Sequence, residues 1–195
     1  MTNYQDYSHL FRGNWSIYNE EKPTWDVVKS FLNPGCVFFD IGCQKGIYSE
    51  GVISVLGRDC SIYGFDVLEH PDIIQLQKEN KNFKFINSAV GDGKSSVDCV
   101  IHYDTNTKLI NQKTISLDQF CEKNNIKKID FIKIDVDGCE GSVLNGSKKI
   151  LKTFCPTLVI EIENNLEEYI TLMREFGYNY MYSRNDVNRF FVKNE

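Results

Sequence analysis

Val37-Phe-Phe-Asp-Ile-Gly-Cys-Gln-Lys-Gly-Ile-Tyr-Ser49 decides how the rest of the 195-residue chain is read. Residues 37–41 form a short apolar run of β-branched and aromatic side chains, preceded by the turn residues Asn33-Pro34-Gly35. That pattern predicts a strand buried on both faces, as a parallel sheet requires. Gly42 and Gly46 then punctuate a turn, and a helix is expected from Ile47 to Leu56, closed by Gly57. A glycine directly after a strand lets backbone approach a ligand, and the free N–H groups of the new helix face it. Such a turn also occurs in βα units that bind nothing. It is not the dinucleotide fingerprint, which from Gly42 would need glycines where Gln44 and Ile47 stand. The pattern is Asp-x-Gly-x-x-x-Gly, with Asp40 inside the strand's end, which suits a ligand with an ammonium group better than a pyrophosphate. An NAD-dependent oxidoreductase is disfavoured accordingly.

Working outward, apolar runs alternate with helical patterns. Strands are expected at residues 61–65, 83–86, 129–136 and 157–162, with short extra strands at 96–103 and 114–117. Helices are expected from Pro23, over Pro71–Glu79, and over residues 117–125, 140–151 and 166–176. Residues 178–182 and 189–192 read as a closing hairpin. Strands alternating with helices make one α/β domain, residues 23–195, with a mostly parallel sheet. Residues 1–22 form an aromatic arm, with Tyr7, His9, Phe11 and Trp15 expected to fold over the site as a lid, or to pack on the core or a second subunit.

The net charge of −5 offers no basic field, which disfavours a role in gripping nucleic acid. No apolar run is long enough to span a membrane and no signal-peptide pattern opens the chain, so a cytoplasmic protein is expected. The seven cysteines, Cys36, Cys43, Cys60, Cys99, Cys121, Cys139 and Cys155, are odd in number with no Cys-x-x-Cys pair. They are expected to be reduced thiols, and no metal site is expected.

In an open parallel sheet, ligands bind beyond the carboxyl ends of the strands. Those ends carry Asp40, Gly42, Cys43 and Gly46, then Asp66, then Ser88 and Ala89, then Asp135 and Asp137, then Glu161 and Glu163. Asp66 lies 20 residues past Gly46, where a carboxylate can accept both hydroxyls of a ribose. Period two places Lys133, Asp135 and Asp137 on one strand face, with Asp135 as the partner of a lysine that would otherwise be buried unpaired. That pair is either a structural ion pair or part of the active rim. Candidate general bases are Asp135, Asp137, Glu161, Glu163 and the three histidines His9, His70 and His102.

Asp40-Ile-Gly-Cys-Gln-Lys-Gly-Ile-Tyr-Ser, Ile62-Tyr-Gly-Phe-Asp66, Ser88-Ala-Val-Gly-Asp92, Ile115-Ser-Leu-Asp-Gln-Phe120, Ile129-Asp-Phe-Ile-Lys-Ile-Asp-Val-Asp-Gly-Cys-Glu140 and Val143-Leu-Asn-Gly146, followed by Pro156 and Val159-Ile-Glu-Ile162, stand in this order. This series resembles the FkbM-type S-adenosylmethionine-dependent methyltransferases over roughly residues 34–163. The family usually has Glu where Asp66 and Asp137 stand, a change that keeps the charge and shortens the reach. The resemblance implies a class I methyltransferase, Rossmann-like fold: a seven-stranded, mostly parallel sheet with a C-terminal antiparallel hairpin. It implies S-adenosyl-L-methionine as cofactor, with the Gly42–Gly46 loop at its methionine part and Asp40, Cys43 and Val67 beside it. It implies Asp66 on the ribose, Ser88 and Ala89 near the adenine, and Asp135 near the transferred methyl. Asp135 and Lys133 are the expected catalytic residues. The implied activity is O-methylation of a small molecule, a sugar or glycoconjugate. Methylation of a protein or nucleic acid, and a non-catalytic cofactor-binding or assembly module, are the alternatives. A homo-oligomer is compatible with the sequence.

Overall fold

The computed structural model describes residues 15–102, 107–181 and 187–194. In chain order the elements are α1 (Trp15–Ser30), β1 (Cys36–Ile41), α2 (Ile47–Leu56), β2 (Cys60–Asp66), α3 (Pro71–Glu79) and β3 (Phe83–Asn87). Then come β4 (Ala89–Val90), β5 (Ser96–His102), β6 (Thr107–Ile115), α4 (Leu117–Lys123) and β7 (Phe131–Ile134). The last are α5 (Glu140–Asn145), α6 (Lys148–Thr153), β8 (Thr157–Glu161), α7 (Leu166–Glu175), β9 (Tyr178–Met181) and β10 (Asn188–Lys193).

A seven-stranded sheet runs in the order β3-β2-β1-β7-β8-β10-β9. All its neighbouring pairs are parallel except the two made by β10, which slots antiparallel between β8 and β9. This is the expected sheet with its reversed closing hairpin. Strand order turns round between β1 and β7, and the crevice beyond their carboxyl ends is where such sheets bind ligands.

The apolar runs are explained by burial on both faces. Phe38, Phe131, Val159 and Phe190 pack with Trp25, Val28, Val52, Ile73 and Leu76 of α1–α3. Their chain neighbours Phe39, Ile132, Leu158 and Phe191 face the opposite way, into Leu117, Val143, Leu144, Ile150, Leu151 and Met173 of α4–α7. Each layer excludes water from one side of the sheet, at roughly 1.5–3 kcal/mol for each large side chain. No described helix is long and apolar enough to cross a membrane.

Four expectations need correction. The first helix begins at Trp15, not Pro23, so Pro23 lies inside it and the division drawn at residue 22 falls within one helix. Docking outweighs the proline's missing N–H: Trp25 lies against Gly51, where a Cβ would come within 2.5 Å of the indole, and Trp25 meets Tyr48 edge-on. The rest of the arm, with Tyr7, His9 and Phe11, lies outside the described residues. The helix expected over residues 140–151 is two, broken at Gly146, whose Cβ would sit 1.8 Å from the Gly91 carbonyl oxygen. The extra strands form one hairpin, β5–β6, in a small sheet with β4. Its second strand is mostly exposed and polar, so no alternation announced it. Finally, β7 ends at Ile134, and the chain bends at Asp137 (φ 50°) and Gly138 (φ 93°), so Asp137 leaves the strand face that period two assigned it.

Candidate active site

The loop after β1 is built by close backbone approach. Gly42 (φ +76°) donates its N–H to Phe65 O at 2.9 Å, and its Cβ position is 1.7 Å from Asp135 O. Gly46 (φ +84°) caps α2 in a left-handed conformation that a side chain would strain. Asp40 is buried; its Oδ2 accepts from Ser49 N at 3.2 Å and Ser49 Oγ at 2.6 Å, tying the first turn of α2 to β1. Its Oδ1 makes no hydrogen bond and lies 3.9 Å from Lys133 Nζ. Burial pushes the Asp40 carboxyl above its ordinary range, against the pull of Lys133 and Ser49.

A cleft of about 490 Å³ runs across the ends of β1, β2, β4 and β7. Of the expected cofactor residues it is lined by Gly42, Asp66, Val67, Ser88, Ala89 and Asp135. Asp40, Cys43 and Gly46 do not line it; they pack beneath, Cys43 against Gly64 and Gly46 against Ile73. Asp66 Oδ2 accepts from Gln44 N at 2.8 Å and Oδ1 from Leu68 N at 2.9 Å. One carboxylate thus fastens the β1 loop while lining the cleft, and burial raises its pKa against these donors. The Ser88 hydroxyl is turned to its own chain, on Ala89 O at 3.2 Å. Cys139, in the loop after β7 where the sequence already suggested a lining thiol, joins Val97 and Cys99 of β5 in a wall; the β5 part had no sequence signal, because the hairpin's fold over the cleft is set by tertiary contacts.

Beneath the cleft floor, Lys133 Nζ donates to Asp135 Oδ2 at 2.8 Å and Gly42 O at 3.4 Å, and lies 5.1 Å from the centre of the Tyr48 ring. Tyr48 in turn donates its hydroxyl to Glu21 of α1. Burial alone would lower the Lys133 pKa, but Asp135 and Asp40 hold it above its ordinary value, so this lysine stays charged. Lys133 is absent from the cleft lining, and supports Asp135 from behind.

Glu161, at the end of β8, is hydrogen-bonded to Asp135. That bond is the main cause pushing the Glu161 carboxyl up to about 8, followed by burial and the negative charge of Asp135. Burial would raise Asp135, but Lys133 and the bond from Glu161 draw it below the ordinary carboxylate range. At neutral pH the two carboxyls therefore hold one proton between them, as a hydrogen bond from one to the other requires. Glu161 opens on a second cleft of about 550 Å³, lined also by Glu163, Asn164, Asn165 and Tyr169, which shares Asp137 with the first. Glu140 accepts from Gly138 N at 3.0 Å and holds the loop between the clefts. Of the histidines, His70 caps α3 by accepting from Asp72 N, away from both clefts. The side chain of His102 and all of His9 lie outside the described residues.

The motif residues divide into site and scaffold. Asp118 accepts at both oxygens, from Lys149 N and Ile150 N at 2.9 Å each, and so caps α6 from another element. Phe120 packs edge-on to Phe65 and Phe39. Asp130 Oδ2 accepts from Val37 N at 2.7 Å, locking β7 to the start of β1.

With that geometry established, likeness to known proteins is informative. Residues 63–180 match the family model described as the methyltransferase FkbM domain. Methyltransferase FkbM from Methylobacillus flagellatus KT superposes with a TM-score of 0.57 at 16% identity, over 81% of this chain and 43% of that one, so this chain spans less than half of that protein's length. A Clostridium thermocellum chain named as an rRNA methylase gives 0.56 at 12% identity, over 90% and 96% of the two chains. A SAM-dependent methyltransferase from Aquifex aeolicus gives 0.54 at 16% identity, over 96% and 97%. These identities establish a shared fold. No curated protein matches the chain. The family match, spanning more than half of the residues, places this chain in the FkbM methyltransferase domain family.

Proposed function

We propose that the protein transfers the methyl group of S-adenosyl-L-methionine to a hydroxyl of a small polar acceptor, a sugar or glycoconjugate. The residues present fit the cofactor. The first cleft is apolar along Val67, Ala89 and Val97 and acidic at Asp66, at the end of β2, and at Asp135 and Asp137, beyond β7. That donor set suits a ligand with a ribose at one end and a cationic methionine end at the other. Asp66 would hold the ribose and Asp135 would lie towards the sulfonium, which supplies an activated methyl group when the cofactor is bound. Asp40, Cys43 and Gly46 act indirectly, by shaping the loop. Lys133 keeps Asp135 ionised and fixed. Displacement at a methyl carbon needs alignment more than covalent help, and a pre-shaped cleft supplies alignment.

The observation that carries the acceptor class is the second cleft. It meets the first cleft at Asp137 and is lined also by Glu140, Glu161, Glu163, Asn164, Asn165 and Tyr169. Amide and carboxyl groups hydrogen-bond a polyol, whereas the acidic side chains of Asp137, Glu140 and Glu163 in its lining disfavour a phosphate backbone. The test is methyl transfer from labelled S-adenosylmethionine to panels of free sugars, nucleotide sugars and glycosides, set beside RNA and protein. Labelled sugar ethers are expected; label found only in RNA or protein overturns the acceptor class. Asp66→Ala is expected to weaken S-adenosylhomocysteine binding by roughly 1.5–3 kcal/mol, as lost bonds to a charged group do. Unchanged affinity removes Asp66 from the cofactor.

A further inference from the structure

A hydrogen bond between two carboxyl groups requires a proton on one of them. Asp135 and Glu161 make such a bond at the ends of adjacent parallel strands, one residue beyond the Ile134–Ile160 pairing. The two acids open on different cavities: Asp135 on the first cleft, Glu161 on the second. One proton therefore bridges the wall between the cofactor side and the acceptor side of the site.

We propose that Glu161 is the group that takes the acceptor's hydroxyl proton, and that the donor's positive charge, seated beside Asp135, empties Glu161 beforehand. This rests on the reading of the first cleft as the S-adenosylmethionine site. Without a cation in that cleft, the neighbouring Asp135 and Glu161 carboxyls keep one proton between them. With a sulfonium against Asp135, the pair has a second cation beside it in addition to Lys133, and the doubly ionised state becomes favourable. Glu161 then releases its proton to solvent through the second cleft. As the acceptor oxygen bonds to the methyl carbon, the carbon–sulfur bond breaks with its electron pair passing to sulfur, and Glu161 receives the O–H proton. Sulfur is now neutral, so the affinity of Glu161 for that proton is restored as the product ether leaves. The base is armed only while the donor is charged, and proton capture is favoured by the same event that consumes the charge.

The surroundings of Glu161 fit this cycle. Lys133 of β7, Asp135 just beyond that strand and Asp137 of the following loop act on it, and Glu140 of α5, Glu163 after β8 and Tyr169 of α7 line the second cleft with it. Asn188 of β10 stands opposite it in the antiparallel register and is neutral. Of these groups only Lys133 is positive, so the pair is short of positive charge until a cationic ligand arrives. A group titrating near pH 8 is well matched to accept a proton at neutral pH once a neighbouring cation has drawn its pKa down.

The experiment needs no acceptor. Binding of S-adenosylmethionine and of S-adenosylhomocysteine is measured calorimetrically at pH 7 in two buffers of different ionisation enthalpy, which gives the protons released by each ligand. In the wild type the sulfonium ligand is expected to release roughly one proton more than the thioether. Glu161→Gln is expected to abolish the difference while keeping affinity for the thioether. Asp135→Asn, which removes the partner carboxylate, is expected to abolish it too. Equal proton release by the two ligands in the wild type, or a difference that survives in Glu161→Gln, overturns the proposal. Absence of binding by either ligand to the wild type overturns the cofactor reading itself, and this result differs from equal release in giving no binding heat.

Discussion

Gly42 and Asp135 meet backbone to backbone: a Cβ on Gly42 would stand 1.7 Å from the Asp135 carbonyl oxygen. The glycine therefore does more than leave room for a ligand. It lets the ends of β1 and β7 converge, which brings the cleft-lining Asp135 next to the loop that follows β1.

Gly42→Ala is expected to destabilise the fold itself. Gly35 offers a matched control, because its φ is also +76° but nothing lies within 4 Å of its Cβ position. Gly35→Ala should cost only the left-handed strain, roughly 1–2 kcal/mol. Gly42→Ala adds a clash with backbone that cannot rotate away, and should cost about 3 kcal/mol or more. Denaturant midpoints at unchanged slope measure both. Equal losses in the two variants would mean that the β1–β7 junction relaxes without cost.

The Asp118 carboxylate is expected to matter for stability and not for ligand binding. It caps α6 through Lys149 N and Ile150 N and lines neither the cofactor cleft nor the second one. Asp118→Ala should cost about 1–2 kcal/mol, as loss of a helix cap does. Affinity for S-adenosylhomocysteine should stay within about twofold, since a cap lost far from the cleft leaves the cleft contacts in place. A tenfold loss of affinity in a fully folded variant would show that the motif around Leu117 and Asp118 reaches the site.

These two residues show what sequence patterns reveal and what they leave hidden. The strand-turn-helix at residues 37–56 was legible because doubly buried strands are continuous apolar runs and glycine marks the turn. Asp66, Ser88, Ala89 and Asp135, at the strand ends that the sequence pattern marks, line one cleft. Asp40 was also at a strand end, yet it points under the loop, because Ser49 and Lys133 lie there to receive it. Strand position does not say whether an acid faces the cleft or the core; the partners that decide it lie 9 and 93 residues away. The broken helix at Gly146 and the β5–β6 wall were illegible for a related reason. Each is imposed by a contact distant in sequence, with Gly91 in one case and with the β4 and cleft edge in the other.

Folding stability is expected to fall as the pH rises through the titration of Glu161. The Glu161 carboxyl is raised from 4.5 to about 8 in the folded protein, mainly by its bond to Asp135. Between those two values the folded state holds a proton that the unfolded chain has lost. Stability changes with pH in proportion to protons bound by the unfolded state minus those bound by the folded state, so here the slope is negative. The contribution of Glu161 is fully present below about pH 4.5 and is lost as pH rises through about 8. Asp40 and Asp66 are also raised, by burial, and push in the same direction, so the wild-type curve alone does not isolate Glu161. Glu161→Gln does, because glutamine keeps a donor for Asp135 and cannot titrate. Unfolding free energies measured from pH 5 to pH 9 should therefore fall more steeply in the wild type than in Glu161→Gln. Parallel curves would show that Glu161 titrates in its ordinary range and shares no proton with Asp135.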